Sequence, residues 1–216
     1  MRRIFLAGVL VIIMGGQFCL ADTPAALEKA SELISNHQYD AAIAILEQYI
    51  PANPQSAQGY FLMAQAYHWK KELYKARVYY FKAAETDGQY RLSVVPLLDE
   101  LNEWENIVNI VEPELRAGNQ VGPSALGALA TAYRHLKQNK KSAKLIEYLG
   151  KTKYDDQDDE DYKNYILAYA NLWNGDTAAA KEKLKLIRNR GYLQYARTHE
   201  KFKALFQDPE FLEMTK

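Results

Sequence analysis

One arrangement of apolar residues returns along this chain every thirty-four residues, and no other feature restricts its fold as much. Tyr39, Ala42, Leu46 and Tyr49 stand at successive offsets of three, seven and ten from the first. Leu73, Ala76, Tyr80 and Ala83 repeat those offsets one period later. The frame loosens at Trp104, Ile107 and Val111, returns at Asn139, Ser142, Ile146 and Leu149, and ends at Thr177, Ala180, Leu184 and Ile187. A helix of about 3.6 residues per turn gathers such offsets on one face, with a small residue where two helices come closest. Period-two alternation of β-branched residues is nearly absent, so each repeat is helical throughout.

A second helix precedes each of these. Met63-Ala64 with Tyr67 marks it in the second unit and Leu129-Ala130 with Tyr133 in the fourth. Leu167-Ala168 with Asn171 marks it in the fifth, and Lys29-Ala30 with Leu33 in the first. Polar turns join the two helices of a unit at Asn36-His37-Gln38, Lys70-Lys71-Glu72, Lys137-Gln138-Asn139 and Asn174-Gly175-Asp176. The resulting pattern is a leucine or methionine next to alanine, an aromatic three residues on, then the alanine and apolar positions of the second helix. It resembles the tetratricopeptide repeat (TPR). Residues 57–90 carry it best, 23–56 match in their second helix, and 123–156 and 161–194 match fairly. Segment 91–122 is degenerate: its inter-helix turn near Glu103 is expected to be two or three residues short, and Pro113 to interrupt the second helix.

The resemblance implies an all-α fold, a right-handed superhelical solenoid of about five TPR-like helix pairs over residues 22–216. Its concave face would be lined mainly by the first helix of each pair. A lone pair cannot bury its apolar face, so neighbours stack and the ends need capping. Residues 195–216 have the form of a cap: Asp208 can serve as N-cap and Pro209 as first helical residue, while Phe202, Leu205, Phe206 and Phe211 cover the last core.

Residues 1–21 are expected to stand apart from this domain. Arg2-Arg3, an apolar run to Met14 and the close Cys19-Leu20-Ala21 have the form of a secretory signal peptide cut before Asp22. The alternative is an uncleaved anchor in the inner membrane, but Ile4 to Ala21 is marginal against the ~20 apolar residues a span requires. The expected location is therefore outside the cytoplasm, in the periplasm, with the membrane met only through this segment if it stays uncut. Cleavage leaves a slightly acidic chain without cysteine, held by its core rather than by disulfides. The full chain balances 27 Lys+Arg against 27 Asp+Glu, which argues against a nucleic-acid partner.

Catalytic constellations are not legible. His37, His68, His135 and His199 fall in different units, and no paired-histidine spacing, phosphate loop or converging carboxylate pair is present. Neither a metal site nor a cofactor is expected, and the chain reads as a non-enzyme. The acidic run Asp155 to Asp161 invites thought of calcium, but it lacks a bending glycine, and position twelve counted from Asp156 is Leu167. It reads more simply as a solvated insertion between the fourth and fifth units, ahead of a helix starting near Tyr162.

Function is expected on the concave face. Counting helix faces opposite the alanine-packed side selects Phe61, Gln65, His68 and Trp69 in the second unit. It selects Thr131, Arg134 and His135 in the fourth, and Tyr165, Tyr169 and Trp173 in the fifth. Aromatics with an apolar body and a polar tip suit capture of a peptide or protein segment, the partner expected of a scaffold or adaptor in the cell envelope. Stacking on glycan or peptidoglycan is the alternative. Many of these rings can instead pack between helices, as expected of Tyr67, Tyr80 and Tyr133. Some members of the family hold a partner's C-terminal carboxylate with basic and amide residues. Leu27, Ser31, Gln58 and Leu62 stand at those positions, so that ligand is not carried over.

Overall fold

Antiparallel helix pairs follow one another through residues 24–214, the part of the chain described by the structure, a computed structural model. The signal-peptide assignment falls outside the described residues. The pairs are α1 (Pro24–Ser35) with α2 (Tyr39–Ala52), α3 (Ala57–Trp69) with α4 (Leu73–Thr86), and α5 (Val95–Glu100) with α6 (Trp104–Arg116). They continue with α7 (Pro123–His135) and α8 (Asn139–Lys151), then α9 (Gln157–Trp173) and α10 (Thr177–Lys185). The cap comprises α11 (Arg190–Thr198), two short 3-10 turns and α12 (Pro209–Met214). First helices of neighbouring pairs also meet: α3 packs on α1, α7 on α5, and α9 on α7. The chain is an all-α, TPR-like right-handed solenoid.

The repeating alanine frame is the seam of this packing. Ala42, Ala76 and Ala180 are fully buried, as are Leu46 and Leu184 in the same frame. Ser142 takes the small-residue place in the fourth unit, where its hydroxyl donates to the Ala130 carbonyl at 2.9 Å. That bond lets a polar atom sit in the seam without the cost of an unmet donor. Tyr67, Tyr80 and Tyr133 are buried between helices. The cap closes the far end: Phe202, Leu205 and Phe211 are buried, and Phe206 packs 5.3 Å from Phe211, centroid to centroid.

All five first helices end in the same way. His37, Lys71, Asn102, Lys137 and Gly175 adopt φ near +60 to +76°. In each turn the next N–H reaches back five residues, as Gln38 to Leu33, Glu72 to Tyr67, Glu103 to Leu98, Gln138 to Tyr133 and Asp176 to Asn171. This is the Schellman closure, which satisfies carbonyls left open at a helix end and reverses the chain.

Two expectations about the degenerate unit are corrected by this geometry. The turn at Glu103 is not shortened, because Asn102 closes it like the others. What differs is the helix before it, a 3-10 helix at Gly88–Val94 followed by the six-residue α5. A 3-10 helix winds about three residues per turn against about 3.6 in an α-helix, so the faces of this segment fall out of step with the repeat. Nor does Pro113 interrupt α6, which continues to Arg116 with Pro113 exposed. Its closing turn is another Schellman arrangement, at Gly118 and Asn119.

The acidic run is solvated over 155–159, as expected, but it is not a loop. α9 begins at Gln157 rather than near Tyr162, so most of the run forms its first turns. Asp156 caps it by accepting the Asp159 N–H at 3.0 Å, and acidic side chains here favour the positive end of the helix dipole. Asp161 is fully buried and accepts the backbone N–H groups of Arg188 and Asn189, tying the cap to the fifth unit.

Candidate partner-binding groove

Stacking the pairs with their first helices inward leaves a concave cleft of about 560 Å³. The end of α3 supplies His68 and Trp69, and Lys71 follows in its turn. Asp99 and Glu100 come from α5 and Trp104 from the start of α6. From α7 come Gly127, Thr131 and His135, and from α9 come Tyr162, Tyr165 and Tyr169. Tyr195 of α11 and His199 close the far side. A cleft of this size suits a few side chains of a partner rather than a whole domain.

Close helix approach shapes the floor. A Cβ on Gly127 would lie 2.7 Å from the Ile166 side chain, so α7 and α9 meet where only hydrogen fits. Rings build the walls. His135 stacks on Trp104 with centroids 4.2 Å apart and planes 5° from parallel, while Tyr169 packs edge-on to Trp173 at 4.8 Å. Trp69 is 59% exposed, an unusual state for a tryptophan in a folded chain.

The polar groups of the wall fall into a satisfied set and an unsatisfied one. Glu100 accepts from His68 Nε2 and from Lys71 Nζ, both at 2.9 Å. Those two partners hold the Glu100 carboxyl below the ordinary carboxylate range despite the opposing effect of burial, which is the largest single influence on it. Asp99 beside it has a buried Oδ1 with no hydrogen-bond partner. Burial pushes its carboxyl up to about 6. Burial also raises the phenols of Tyr162, to about 12, and of Tyr165, and Asp99 adds to both shifts. His199 is shifted down, chiefly by burial.

Of the ten residues selected from sequence, the structure brings His68, Trp69, Thr131, His135, Tyr165 and Tyr169 to this cleft. Tyr165 needs a correction in kind: it is 6% exposed and packs on Phe202 and Tyr195, so it is a core ring whose edge reaches the cleft. Phe61 instead packs against Tyr80 and Tyr90. Gln65 is half-buried, outside the lining. Arg134 donates to the Trp173 carbonyl at 3.1 Å and lies 4.9 Å from its ring centroid, so the two bind each other rather than the cleft.

Sequence reasoning missed Asp99, Glu100, Tyr162, Tyr195 and His199, and placed Trp104 only in the packing frame. A signal for the acids was present. Counted back from the left-handed turn residue, Asp99 and Glu100 hold the places of His68 and Trp69 before Lys71, and of Arg134 and His135 before Lys137. Among the described residues no three His, Cys, Asp or Glu side chains converge as a metal site, and no helix is long and apolar enough to cross a membrane.

Neither the family models nor the curated proteins contain a match to this chain. Among solved structures it is similar to a protein of Podosopora anserina described as a kinesin light chain with nearly identical TPR-like repeats. The two superpose with a TM-score of 0.54 at 17% identity, over 81% of this chain and 96% of that one. Similarity at that level concerns the fold.

Proposed function

We propose that this chain is a non-enzymatic scaffold or adaptor that holds a peptide or protein segment along its concave face. The observation that carries the reading is the aromatic cleft itself, open to solvent and built from helices of four successive units and the cap. Rigid rings on a preformed scaffold gain contact area with little loss of side-chain entropy, which favours capture of an extended segment. Helices fix the wall, so a partner orders itself on the protein rather than the reverse.

A photocrosslinking residue at Thr131, in the cleft, and at Tyr148, exposed on the outer helix α8, tests the reading. Adducts with a protein are expected from Thr131 only, and they should disappear in a Trp69→Ala/Tyr169→Ala background. Equal adducts from both positions, or none from Thr131, overturn it. Retention on isolated peptidoglycan that depends on the same two rings would replace it with the glycan reading.

The envelope location belongs to the same proposal and rests on the form of residues 1–21. Fractionation of cells carrying a C-terminally tagged chain should find it outside the cytoplasm with Asp22 at its N-terminus. A cytoplasmic chain that still begins Met1-Arg2 overturns that part.

A further inference from the structure

We infer that the wall around Asp99 receives a cationic side chain, a lysine ammonium or an arginine guanidinium, from the segment held in the cleft. This rests on the groove reading above and goes beyond it by naming the chemistry of the bound residue. Asp99 Oδ1 is shut off from solvent and has no hydrogen-bond partner. A carboxylate left in that state costs free energy in the unbound protein, and a cation brought against Asp99 from the cleft it lines would offset that cost.

The surrounding groups do not supply that cation. No arginine lines the cleft, and its one lysine, Lys71, is already paired with Glu100, which His68 also engages. Among the residues lining the cleft, Asp99 is thus a carboxylate with no lysine or arginine to balance it. The lining it shares is π-rich, with Trp69, Tyr162, Tyr165, Tyr169 and Tyr195, and the Asp99 charge is felt at Tyr162 and Tyr165. Ring faces attract cations and do so more strongly when water is excluded. An acidic segment would meet Asp99 with like charge and no compensation. Burial holding the Asp99 proton more tightly than usual agrees with a carboxylate that lacks its counter-charge.

Panning the full chain and its Asp99→Asn variant against a library of random peptides tests this. Wild type should select peptides with Lys or Arg enriched at one position, and the variant should select peptides without that enrichment. For a selected peptide, Asp99→Asn and replacement of the basic residue by norleucine should each weaken binding roughly tenfold or more. The two changes together should weaken it little further. Peptides without a basic preference, or with the same preference in both panels, overturn the inference and leave the groove reading standing. No selected peptide from either panel, with no adducts at Thr131, overturns both.

Discussion

Asp161 accepts the backbone N–H of Asn189 at 2.6 Å, across the packing of α9 on the C-terminal cap. The same oxygen accepts the Arg188 N–H at 2.9 Å, and the other takes the Gln157 amide at 2.7 Å. One buried carboxylate therefore fastens the connection between α10 and α11 to the fifth repeat.

Removing it should loosen the cap before the repeats. Asp161→Ala leaves two backbone donors unmet, at a cost of about 2–3 kcal/mol. Urea titration should show the loss of stability, and proteolysis should cut first within residues 190–214. Asp161→Asn, which keeps an acceptor oxygen, should lose less. Equal stability of Asp161→Ala and wild type would refute this role.

Asp99 should act in the opposite direction. Its carboxyl has an ordinary pKa of 3.8 and is raised to about 6 in the folded chain. The folded state therefore binds this proton more tightly than the unfolded one, so the group gains stability as pH falls from above 6 towards 3.8. Above pH 6 the charged form opposes folding by up to about 3 kcal/mol. Asp99→Asn should accordingly raise the melting temperature near neutral pH, and its advantage should shrink steadily as the medium is acidified towards 3.8. An advantage independent of pH would point to packing instead.

Gly127 and Ile166 should be energetically coupled. Gly127→Ala gains about 1 kcal/mol of helix propensity but drives a methyl into Ile166, at about 1–3 kcal/mol. The net effect expected is a modest loss. Ile166→Ala alone should cost about 2–4 kcal/mol by opening a cavity, and distinctly less when Gly127→Ala fills part of it. Additive losses in chemical denaturation would separate the two sites.

The left-handed turns invite a paired test. Lys137 holds φ of +59° without glycine's freedom, and Gly175 holds +76° with it. A side chain in that region costs about 1–2 kcal/mol, against about 0.5–1 kcal/mol of unfolded-chain freedom that glycine brings. Lys137→Gly should therefore gain about 0.5–1 kcal/mol and Gly175→Ala should lose about 1 kcal/mol, both read as shifts in Tm. Lys71→Gly should gain less than Lys137→Gly, since Lys71 also pairs with Glu100.

Much of this molecule can be read without coordinates. The buried seam of Ala42, Ala76, Ser142 and Ala180 and the polar turns at His37, Lys71, Lys137 and Gly175 stand in the sequence at their spacings. So does the aromatic cap around Phe202. Those features are local, because helix periodicity and turn chemistry are properties of neighbouring residues. The third unit resisted because Gly88–Val94 winds as a 3-10 helix, and a face counted at 3.6 residues per turn drifts out of register there. The acidic run misled only at its end: residues 155–159 are solvated as their charge suggests, whereas Asp161 is buried against donors that arrive twenty-seven and twenty-eight residues later.

The amino-acid order by itself determined a stack of helix pairs, their seam and the side from which first helices face inward. Only the tertiary structure decided which inward residues share a cleft. Residues at equivalent repeat positions diverge: His68 reaches Glu100, Asp99 keeps a buried oxygen without a partner, and Arg134 turns to the Trp173 carbonyl. The stacking also puts Asp99 in one lining with rings drawn from other units. Convergence of that kind depends on the angle between packed layers, which no single repeat encodes.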